Sequence, residues 1–306
     1  MGISIVVPVY NAEASLELLA QRIHATLEEL SPIELILVND SSRDHSWEVI
    51  EKLQTLYPWV RGINLARNFG QHNALLCGIR AARYPLTVTM DDDLQNPPEE
   101  VPRLIEKLNS ESVDVVYGTP QRESHGLWRD IASVITKLVL QHAMGASTAR
   151  NVSAFRCFRT SLREAFAEYG SPYVSIDVLL TWGTRRFASV TVRHEPRAYG
   201  TSNYTVRKLV VHALNMMTGF STLPLQLASM AGFGFMLFGM LVLAFVLGRF
   251  VIQGAVVPGF AFLASIVAIL SGTQLFALGV IGEYIARMHV RSMGAPSYVV
   301  KQAIGD

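Results

Sequence analysis

Two long stretches without a charged residue dominate the second half of the chain. No Asp, Glu, Lys or Arg lies between Lys208 and Arg249, and none lies between Arg249 and Glu283. Each stretch is long enough to cross a hydrocarbon core of ~30 Å as a helix, which rises ~1.5 Å per residue. The alternative is a pair of helices buried in a large soluble core, which the length of the apolar runs disfavours. We therefore predict two membrane-spanning helices, at about 223–247 and 260–283.

The connection between these two helices is short, so we expect a hairpin whose outer flanks share one side of the membrane. It covers residues 248–259 and contains Pro258. Arg249 is its one basic residue, whereas Lys and Arg are frequent on the outer flanks. The flanking residues are Arg207, Lys208, Arg287, Arg291 and Lys301. The positive-inside rule then predicts a multi-pass membrane protein with both termini in the cytoplasm.

Composition and charge argue against several other classes of protein. Half of the residues are hydrophobic and 17% are charged, which is too apolar for a purely soluble protein. A net charge of +1 gives no reason to expect a nucleic-acid partner. Cys77 and Cys157 lie in no metal-like spacing, so we interpret them as structural thiols in a reducing compartment. The apolar run 3–9 has no basic leader, so we expect no signal peptide.

The first part of the chain alternates short apolar runs with segments of helical spacing. The predicted strands are 3–9, 33–38, 61–65, 86–90 and 114–117. After the first run, apolar residues recur on one helical face, namely Ala14, Leu18, Leu19, Ile23, Leu27 and Leu30. This alternation predicts an α/β domain with a mostly parallel sheet covered by helices. In such sheets, ligands bind at the carboxyl ends of the strands.

Polar residues follow four of the predicted strands, where each strand ends. They are Tyr10 and Asn11, Asn39 to Ser42, Arg67 and Asn68, and the aspartates 91 to 93. Together they outline one cleft. The first strand is followed by no G-x-G-x-x-G pattern and the chain has no P-loop, which argues against those two phosphate cradles. The phosphates of a nucleotide bound here need another counter-charge.

Three consecutive aspartates follow the fourth strand, although burial of a single unpaired carboxylate is costly. Asp91 and Asp93 have the spacing to coordinate one hard divalent cation, which would bridge to diphosphate oxygens. The alternative is a polar turn in which Asn96 or Asp93 caps a helix that begins near Pro98. The position of the aspartates after a strand of an alternating fold favours the metal site.

Six blocks lie in order along the chain and are spread over residues 4–287. They read SIVVPVYNAE, LILVNDSSRDHSWEVI, NLARNFGQHNALLCGI, TMDDDLQNPPE, EPRAYGTSNYTVRKL and FALGVIGEYIAR. With the two-helix tail they resemble glycosyltransferase family 2 enzymes of the GT-A fold, in particular the polyprenyl-phosphate glycosyltransferases. That group includes bacterial undecaprenyl-phosphate glucosyl and aminoarabinose transferases and dolichol-phosphate mannose synthase. The resemblance implies an α/β GT-A (nucleotide-diphospho-sugar transferase) domain, interfacial helices and a two-helix transmembrane hairpin.

The resemblance also implies roles for the residues at the strand ends. Those that would bind the nucleotide sugar are Pro8, Tyr10, Asn11, Asp40 and Asp91. Asp91 and Asp93 would hold Mg²⁺ or Mn²⁺ against the diphosphate, and Gln95 would join them as a catalytic residue near the donor sugar or the acceptor. The alternative for Asp40 is a cap for the helix that starts near Asp44, and for Tyr10 it is simple packing.

The implied reaction is the inverting transfer of a sugar from a nucleoside-diphosphate sugar, expected to be UDP-linked, to polyprenyl (undecaprenyl) phosphate for envelope glycan or lipid modification. The attacking phosphate has a second pKa of about 6, so it needs no general base. Ala154 stands where many relatives carry an acidic residue. Either that carboxylate is dispensable, or Asp177 replaces it, or the donor differs, and we favour the first explanation. Asn39 and Asn96 also stand at positions where relatives commonly have aspartate.

The acceptor phosphate is expected to lie among basic residues at the membrane surface. The candidate contacts are Arg122, Arg129, Arg197, Ser202 and Lys208. Arg122 and Arg129 accompany an amphipathic helix at about 126–145, which can lie in the interfacial plane. The alternative is that these basic residues are interfacial anchors.

These expectations divide the chain into a cytoplasmic GT-A catalytic domain at 1–205, a juxtamembrane helix at 206–222, two transmembrane helices within 223–285 and a cytoplasmic tail at 286–306. The expected partners are the sugar donor, the polyprenyl phosphate acceptor and the lipid bilayer. The resemblance further implies a homo-oligomer, tetramer-like, and a downstream flippase. One competing hypothesis is a non-catalytic scaffold that binds the carrier lipid or nucleotide sugar. Another is a processive polysaccharide synthase, for which we find no QxxRW-like block.

Overall fold

The computed structural model describes residues 2–28, 32–120, 151–196, 222–253 and 259–305. The chain forms two compact units. The sheet unit comprises Met1–Ala213 and Gly294–Asp306, and the helical unit comprises Leu214–Met293. The helix predicted at about 126–145 lies outside the described residues, as does the juxtamembrane segment 206–222 except for its last residue.

One eight-stranded sheet forms the centre of the sheet unit. Its strands are β1 Ile3–Val9, β2 Ile33–Asn39, β3 Val60–Leu65, β4 Leu86–Thr89, β5 Val115–Pro120, β6 Arg156–Arg159, β7 Phe187–Val192 and β8 Val300–Ile304, in the order β7-β5-β6-β4-β1-β2-β3-β8. The four neighbours β4, β1, β2 and β3 are parallel, whereas β6 and β8 are antiparallel to the strands beside them. The carboxyl ends of the four parallel strands therefore meet at one edge.

In the part of the sheet unit that the structure describes, five α-helices lie between these strands. They are α1 Leu16–Leu27, α2 Ser46–Leu56, α3 Gln71–Ala81, α4 Val101–Ser110 and α5 Ile176–Gly183. In α1 the predicted core residues Leu19, Ile23 and Leu27 are fully buried. Leu18 is 37% exposed, because one residue is a ~100° step around a helix and places its side chain off the buried stripe.

Close packing of α3 on the sheet sets where this helix begins. A Cβ atom at Gly78 would lie 2.3 Å from Cγ1 of Val6, so the helix approaches β1 as nearly as a glycine allows. The residues of α3 from Asn73 to Ile79 are all buried. The helix is therefore held firmly, and its first residue lies beside the carboxyl ends of the strands.

The C-terminal segment adds a strand that the sequence analysis did not predict. Residues 286–306 were predicted to form a cytoplasmic tail, but within them β8 pairs antiparallel with the edge strand β3. Ala66 N–H donates to the carbonyl of Val299 at 2.9 Å, and the hydroxyl of Ser297 donates to the carbonyl of Ser171 at 2.8 Å. Most of β8 is exposed, so its sequence carries little alternation by which it could be recognised. It covers an edge of the sheet that would otherwise be unpaired.

The helical unit contains two long apolar helices that contact each other, α6 Leu223–Gln253 and α7 Phe260–Ser292. The helical segments Pro224–Arg249 and Ile269–Ser292 are long and apolar enough to cross a membrane, and neither segment is buried inside the protein. The predicted pair of candidate membrane-spanning helices is thus confirmed. Both helices continue beyond their predicted ends, and α7 does so with an ion pair of 2.8 Å between Arg287 and Glu283, one turn apart.

Asp114, directly before β5, is buried among several hydrogen-bond donors. It accepts from Oγ1 of Thr184 at 2.6 Å and from the guanidinium of Arg186 at 2.8 and 2.9 Å, and Nε of Arg159 lies 3.4 Å away. Burial acts to raise the pKa of Asp114, but these hydrogen bonds and charges outweigh it. The pKa of this carboxyl group is therefore held below its ordinary value.

We expect Asp114→Asn to lower the free energy of unfolding at pH 7 by about 2 kcal/mol and to have little effect in acid. Because the folded pKa lies below the unfolded value of about 4, the carboxylate stabilises the fold above that value, and its contribution is lost as the pH falls through the folded pKa. Urea unfolding at neutral and acidic pH, followed by tryptophan fluorescence, measures the difference in the free energy of unfolding between the variant and the wild type. All four tryptophans, at 47, 59, 128 and 182, precede the two apolar helices. An equal loss at neutral and acidic pH would contradict this explanation.

Candidate active site

Each of the four parallel strands is followed by a turn that contains a residue with a left-handed backbone. These residues are Asn11 after β1, Ser41 after β2, Gly70 after β3 and Leu94 after β4, with φ angles of 55°, 56°, 96° and 61°. Three of them are not glycine, and a left-handed backbone at such a residue destabilises the folded state by on the order of 1 kcal/mol or more. Backbone strain of this kind clusters at functional sites. The carboxyl edge of the parallel strands is thus the candidate site on backbone geometry alone.

The loops after β1 and β2 are joined by hydrogen bonds through Asn11. Its N–H donates to Oγ of Ser42 at 3.0 Å, and its Oδ1 accepts from N–H of Arg43 at 2.8 Å. Tyr10, beside it, is 36% exposed, so its ring is open to a ligand and is not simply packed in the core. Pro8 is buried within β1. Of these three predicted nucleotide-binding residues, Tyr10 and Asn11 lie on the surface of the cleft and Pro8 lies beneath it.

Asp40 holds the loop that follows β3. It is 3% exposed, and its two carboxylate oxygens accept from N–H of Phe69 at 2.7 Å and N–H of Gly70 at 2.8 Å. Burial raises the pKa of Asp40, against these two hydrogen bonds and the charge of Arg67. Asp40 does not cap α2, since Oδ1 of Asp44 accepts the N–H of Ser46 there.

The amide of Asn39 explains one departure from the family pattern. Its Nδ2 donates to Oδ1 of Asn64 on the neighbouring strand at 3.0 Å, and its Oδ1 accepts from the hydroxyl of Ser42 at 2.5 Å. An ionised aspartate has no donor for Asn64. Asparagine therefore supplies both a donor for the buried Asn64 and an acceptor for the half-buried Ser42.

The three aspartates after β4 contact three different groups. Oδ1 of Asp91 accepts from Nε2 of Gln71 at 2.7 Å, and Oδ1 of Asp93 accepts from N–H of Gln95 at 3.1 Å. Asp92 lies 3.4 Å from N–H of Tyr10 and so faces the end of β1. Burial, and then the charge of Asp91, raises the pKa of Asp92 to about 7.

This turn fits a divalent cation that is completed by substrate oxygens. Within residues 2–28, 32–120, 151–196, 222–253 and 259–305, no three His, Cys, Asp or Glu side chains form a ready-made metal group. Mg²⁺ sites commonly use one or two carboxylates with phosphate oxygens, and Asp91 and Asp93 supply such a pair. A bound cation would also relieve the repulsion that raises the pKa of Asp92. The short 3-10 helix at Pro98–Glu100 has no side-chain cap, so neither Asn96 nor Asp93 serves as one.

Gln95 lies at the junction with the loop that follows β7. Its carbonyl accepts the N–H of Glu195 at 2.9 Å, and its Nε2 lies 3.5 Å from Nε2 of His194. Glu195 pairs at 3.3 Å with Arg22 of α1, which also binds both oxygens of Glu99 at 2.8 and 2.9 Å. Arg22 and His194 lie in none of the sequence blocks quoted above, and Glu195 begins one of them without an assigned role. These three residues were not predicted, because contacts between residues far apart in the chain form no motif.

Asp177 is engaged in a buried ion pair below the aspartate turn. It accepts from Nη1 of Arg156 and, at 3.1 Å, from the hydroxyl of Tyr117. Nε of Arg156 donates to Oγ1 of Thr89 at 3.0 Å, and Thr89 donates to the carbonyl of Ala154 at 2.8 Å. Since Asp177 is 8% exposed and occupied by these donors, it does not replace the carboxylate that Ala154 lacks.

The predicted contacts to the acceptor phosphate lie outside the part of the chain that the structure describes. They are Arg122, Arg129, Arg197, Ser202 and Lys208. Three of these residues, Arg197, Ser202 and Lys208, follow Pro196, the last described residue before the gap. Pro196 comes directly after Glu195, whose N–H donates to the carbonyl of Gln95.

Sequence comparison places the chain among known transferases. A family model described as Glycosyl transferase family 2 matches residues 4–170. An undecaprenyl-phosphate 4-deoxy-4-formamido-L-arabinose transferase of Pseudomonas aeruginosa is 34% identical to this chain, and the match covers 99% of this chain and 90% of that protein. A protein of the same name from Photorhabdus laumondii is 33% identical over 99% of this chain and 94% of its own length.

Structural comparison supports the fold. Glucosyl-3-phosphoglycerate synthase of Mycobacterium tuberculosis, solved with Mn²⁺, UDP-glucose and phosphoglyceric acid, has a TM-score of 0.54 and 18% identity. The match covers 71% of this chain and 77% of that one. At this identity the likeness concerns the fold alone, and it confirms the expected α/β architecture of GT-A type with a mostly parallel sheet.

Proposed function

The chain belongs to glycosyl transferase family 2, and we propose that it transfers a sugar from a UDP-linked donor to undecaprenyl phosphate. The aspartate turn 91–93 carries this proposal, because it ends a central parallel strand in a chain similar over 99% of its length to such transferases. Those relatives are named for 4-deoxy-4-formamido-L-arabinose, so that sugar is the first donor group to test.

The donor would lie along the carboxyl edge of the four parallel strands. Tyr10 and Asn11 would contact the nucleoside, with Pro8 beneath them, and Asp40 would order the adjoining loop. Asp91 and Asp93 would hold Mg²⁺ or Mn²⁺, which when bound would neutralise charge on the leaving diphosphate. The hydrogen bond from Gln95 to Asp93 would keep the turn in shape.

The acceptor side would need positioning but no general base. A phosphate monoester is largely ionised near pH 7, since its second pKa is about 6. An acceptor that is already ionised needs no acidic residue as a base, which would explain why the chain can have alanine at position 154. Asp177 is paired with Arg156 and so would not act as that base either. The carbonyl of Gln95 accepts a hydrogen bond from Glu195 in the loop after β7, and the Gln95 side chain would face the reacting groups. The proposed phosphate contacts are Arg122, Arg129, Arg197, Ser202 and Lys208.

We further propose that α6 and α7 span the inner membrane with both termini in the cytoplasm. The basic residues near the end of α7, Arg287 and Arg291, support this orientation. The proposed organisation keeps the catalytic domain at 1–205 and adds β8 of the C-terminal segment to it. It also keeps the juxtamembrane helix at 206–222, followed by the two transmembrane helices, which extend to Ser292 and so beyond the predicted limit of 285. A homo-oligomer and a downstream flippase belong to the same proposal.

A panel of UDP-, GDP- and dTDP-sugars offered to the purified full chain tests this function. With Mn²⁺ or Mg²⁺ and a short polyprenyl phosphate, we expect sugar to appear on the lipid from a UDP-sugar, and excess EDTA to abolish the transfer. Radiolabelled sugar in the organic phase is the measurement. Transfer that persists in EDTA would overturn the metal assignment. If no donor gives a lipid product, the scaffold hypothesis, which Ala154 favours, replaces the enzyme hypothesis.

A further inference from the structure

Gln71 contacts the aspartate turn although no sequence motif assigns it a role. It is the first residue of α3, and its Nε2 donates to Oδ1 of Asp91 at 2.7 Å. This distance is short for N–H···O and is typical of a hydrogen bond to an ionised carboxylate. The side chain of Gln71 is exposed, so the bond lies on the surface of the cleft and not in the core.

The backbone that carries Gln71 is held from two sides. In front of it, Asp40 accepts the N–H groups of Phe69 and Gly70 at 2.7 and 2.8 Å. Behind it, Nδ2 of Asn73 donates to the carbonyl of Phe69 at 2.6 Å. Gly70 turns the chain with a φ of 96°, which a residue with a Cβ adopts only with strain. The position of Gln71 is therefore set by the loop and does not depend on Asp91.

A carboxylate on a turn can rotate about its side-chain bonds, and a hydrogen bond to one oxygen restricts that rotation. A carboxylate has about four lone-pair sites, so one hydrogen bond from Gln71 to Oδ1 orients the group and is compatible with coordination of a cation. Groups that orient a metal ligand in this way commonly change metal affinity by about 10- to 100-fold when they are removed.

We propose that Gln71 is a positioning residue that orients Asp91 for the divalent cation. The inference rests on the proposed function, since it requires that Asp91 binds a metal ion. Asp40 lies in the same loop network and beside the proposed nucleoside site, so one short segment, residues 67–71, links the nucleoside end of the cleft to the cation end. The orientation of Asp91 is thereby coupled to the order of this loop.

The test is a Mn²⁺ titration of the full chain in detergent with saturating UDP, followed by electron paramagnetic resonance. Gln71→Met keeps the length of the side chain and removes the donor. We expect the dissociation constant for Mn²⁺ to rise about 10-fold or more. UDP affinity in EDTA and the unfolding midpoint should match the wild type. The matched control is Gln21→Met, which makes the same change at an exposed site on α1.

The outcomes separate this inference from the proposed function. If the wild type and Gln71→Met bind Mn²⁺ equally, the inference is wrong and the proposed function stands. If the wild type with UDP binds no Mn²⁺, the metal part of the proposed function fails, and the inference fails with it. If Gln71→Met lowers the unfolding midpoint and UDP affinity as much as Mn²⁺ affinity, its role is structural and the inference is overturned.

Discussion

Asp93→Asn is expected to reduce kcat for sugar transfer by about 10²- to 10³-fold while the protein stays folded. Asparagine keeps the size of the side chain, and its Oδ1 can still accept the N–H of Gln95 that shapes the turn. What is lost is the negative charge, on which affinity for a hard cation depends. The loss should therefore appear in catalysis and in Mn²⁺ affinity together.

The measurements are initial rates at saturating donor and acceptor, with tryptophan fluorescence to verify the fold. Glu111→Gln is the matched control, since it also neutralises one carboxylate. Glu111 is exposed and forms a surface ion pair with Lys107 just after α4. Such a pair contributes about 0–1 kcal/mol, so this variant should retain wild-type rates. A fully active Asp93→Asn protein would show that the turn holds no catalytic cation.

Arg156→Met is expected to cause the largest loss of stability, about 3–5 kcal/mol in the free energy of unfolding. Arg156 is 1% exposed and is bonded to Asp177, which also accepts from Tyr117. Removal of the arginine leaves a carboxylate buried with one neutral donor, and the desolvation of that charge is no longer offset. Urea unfolding followed by tryptophan fluorescence measures the difference.

The double variant Arg156→Met with Asp177→Leu separates a lost charge partner from lost packing. With both charges removed, no ion is left unpaired, so we expect much of the stability to return. The hydroxyl of Tyr117 would then lack its acceptor, which prevents full recovery. If the double variant is less stable than Arg156→Met, the cost lies in packing, and the explanation based on the buried charge is wrong.

Periodicity and turn residues were sufficient to predict the central part of the fold. The strands β1 to β5 occur within a few residues of their predicted positions, because each carries a short apolar run bounded by polar residues. Strands β6, β7 and β8 were not predicted. β6 has four residues, β7 is mostly half-buried and most of β8 is exposed, so their identity depends on pairing with partners far away in the sequence.

The candidate site was predictable where its residues follow strands. Asp40, Asp91 and Asp93 were found because the carboxyl ends of parallel strands converge, and the structure brings them to one edge. Gln71 and Arg22 could not be found in this way. Gln71 contacts Asp91, 20 positions away, and Arg22 contacts Glu99 and Glu195, 77 and 173 positions away. Such contacts leave no local pattern in the sequence.

The sequence by itself determined the two apolar helices, the alternation of strands and helices, and the position of the aspartate turn. These are local properties, set by the spacing of apolar residues and by the absence of charge over long stretches. Only the tertiary structure decided that Asp177 is bound to Arg156, that Gln71 holds Asp91 and that the C-terminal segment completes the sheet. Those outcomes depend on which distant side chains meet, and that depends on how helices pack and strands pair across the whole domain.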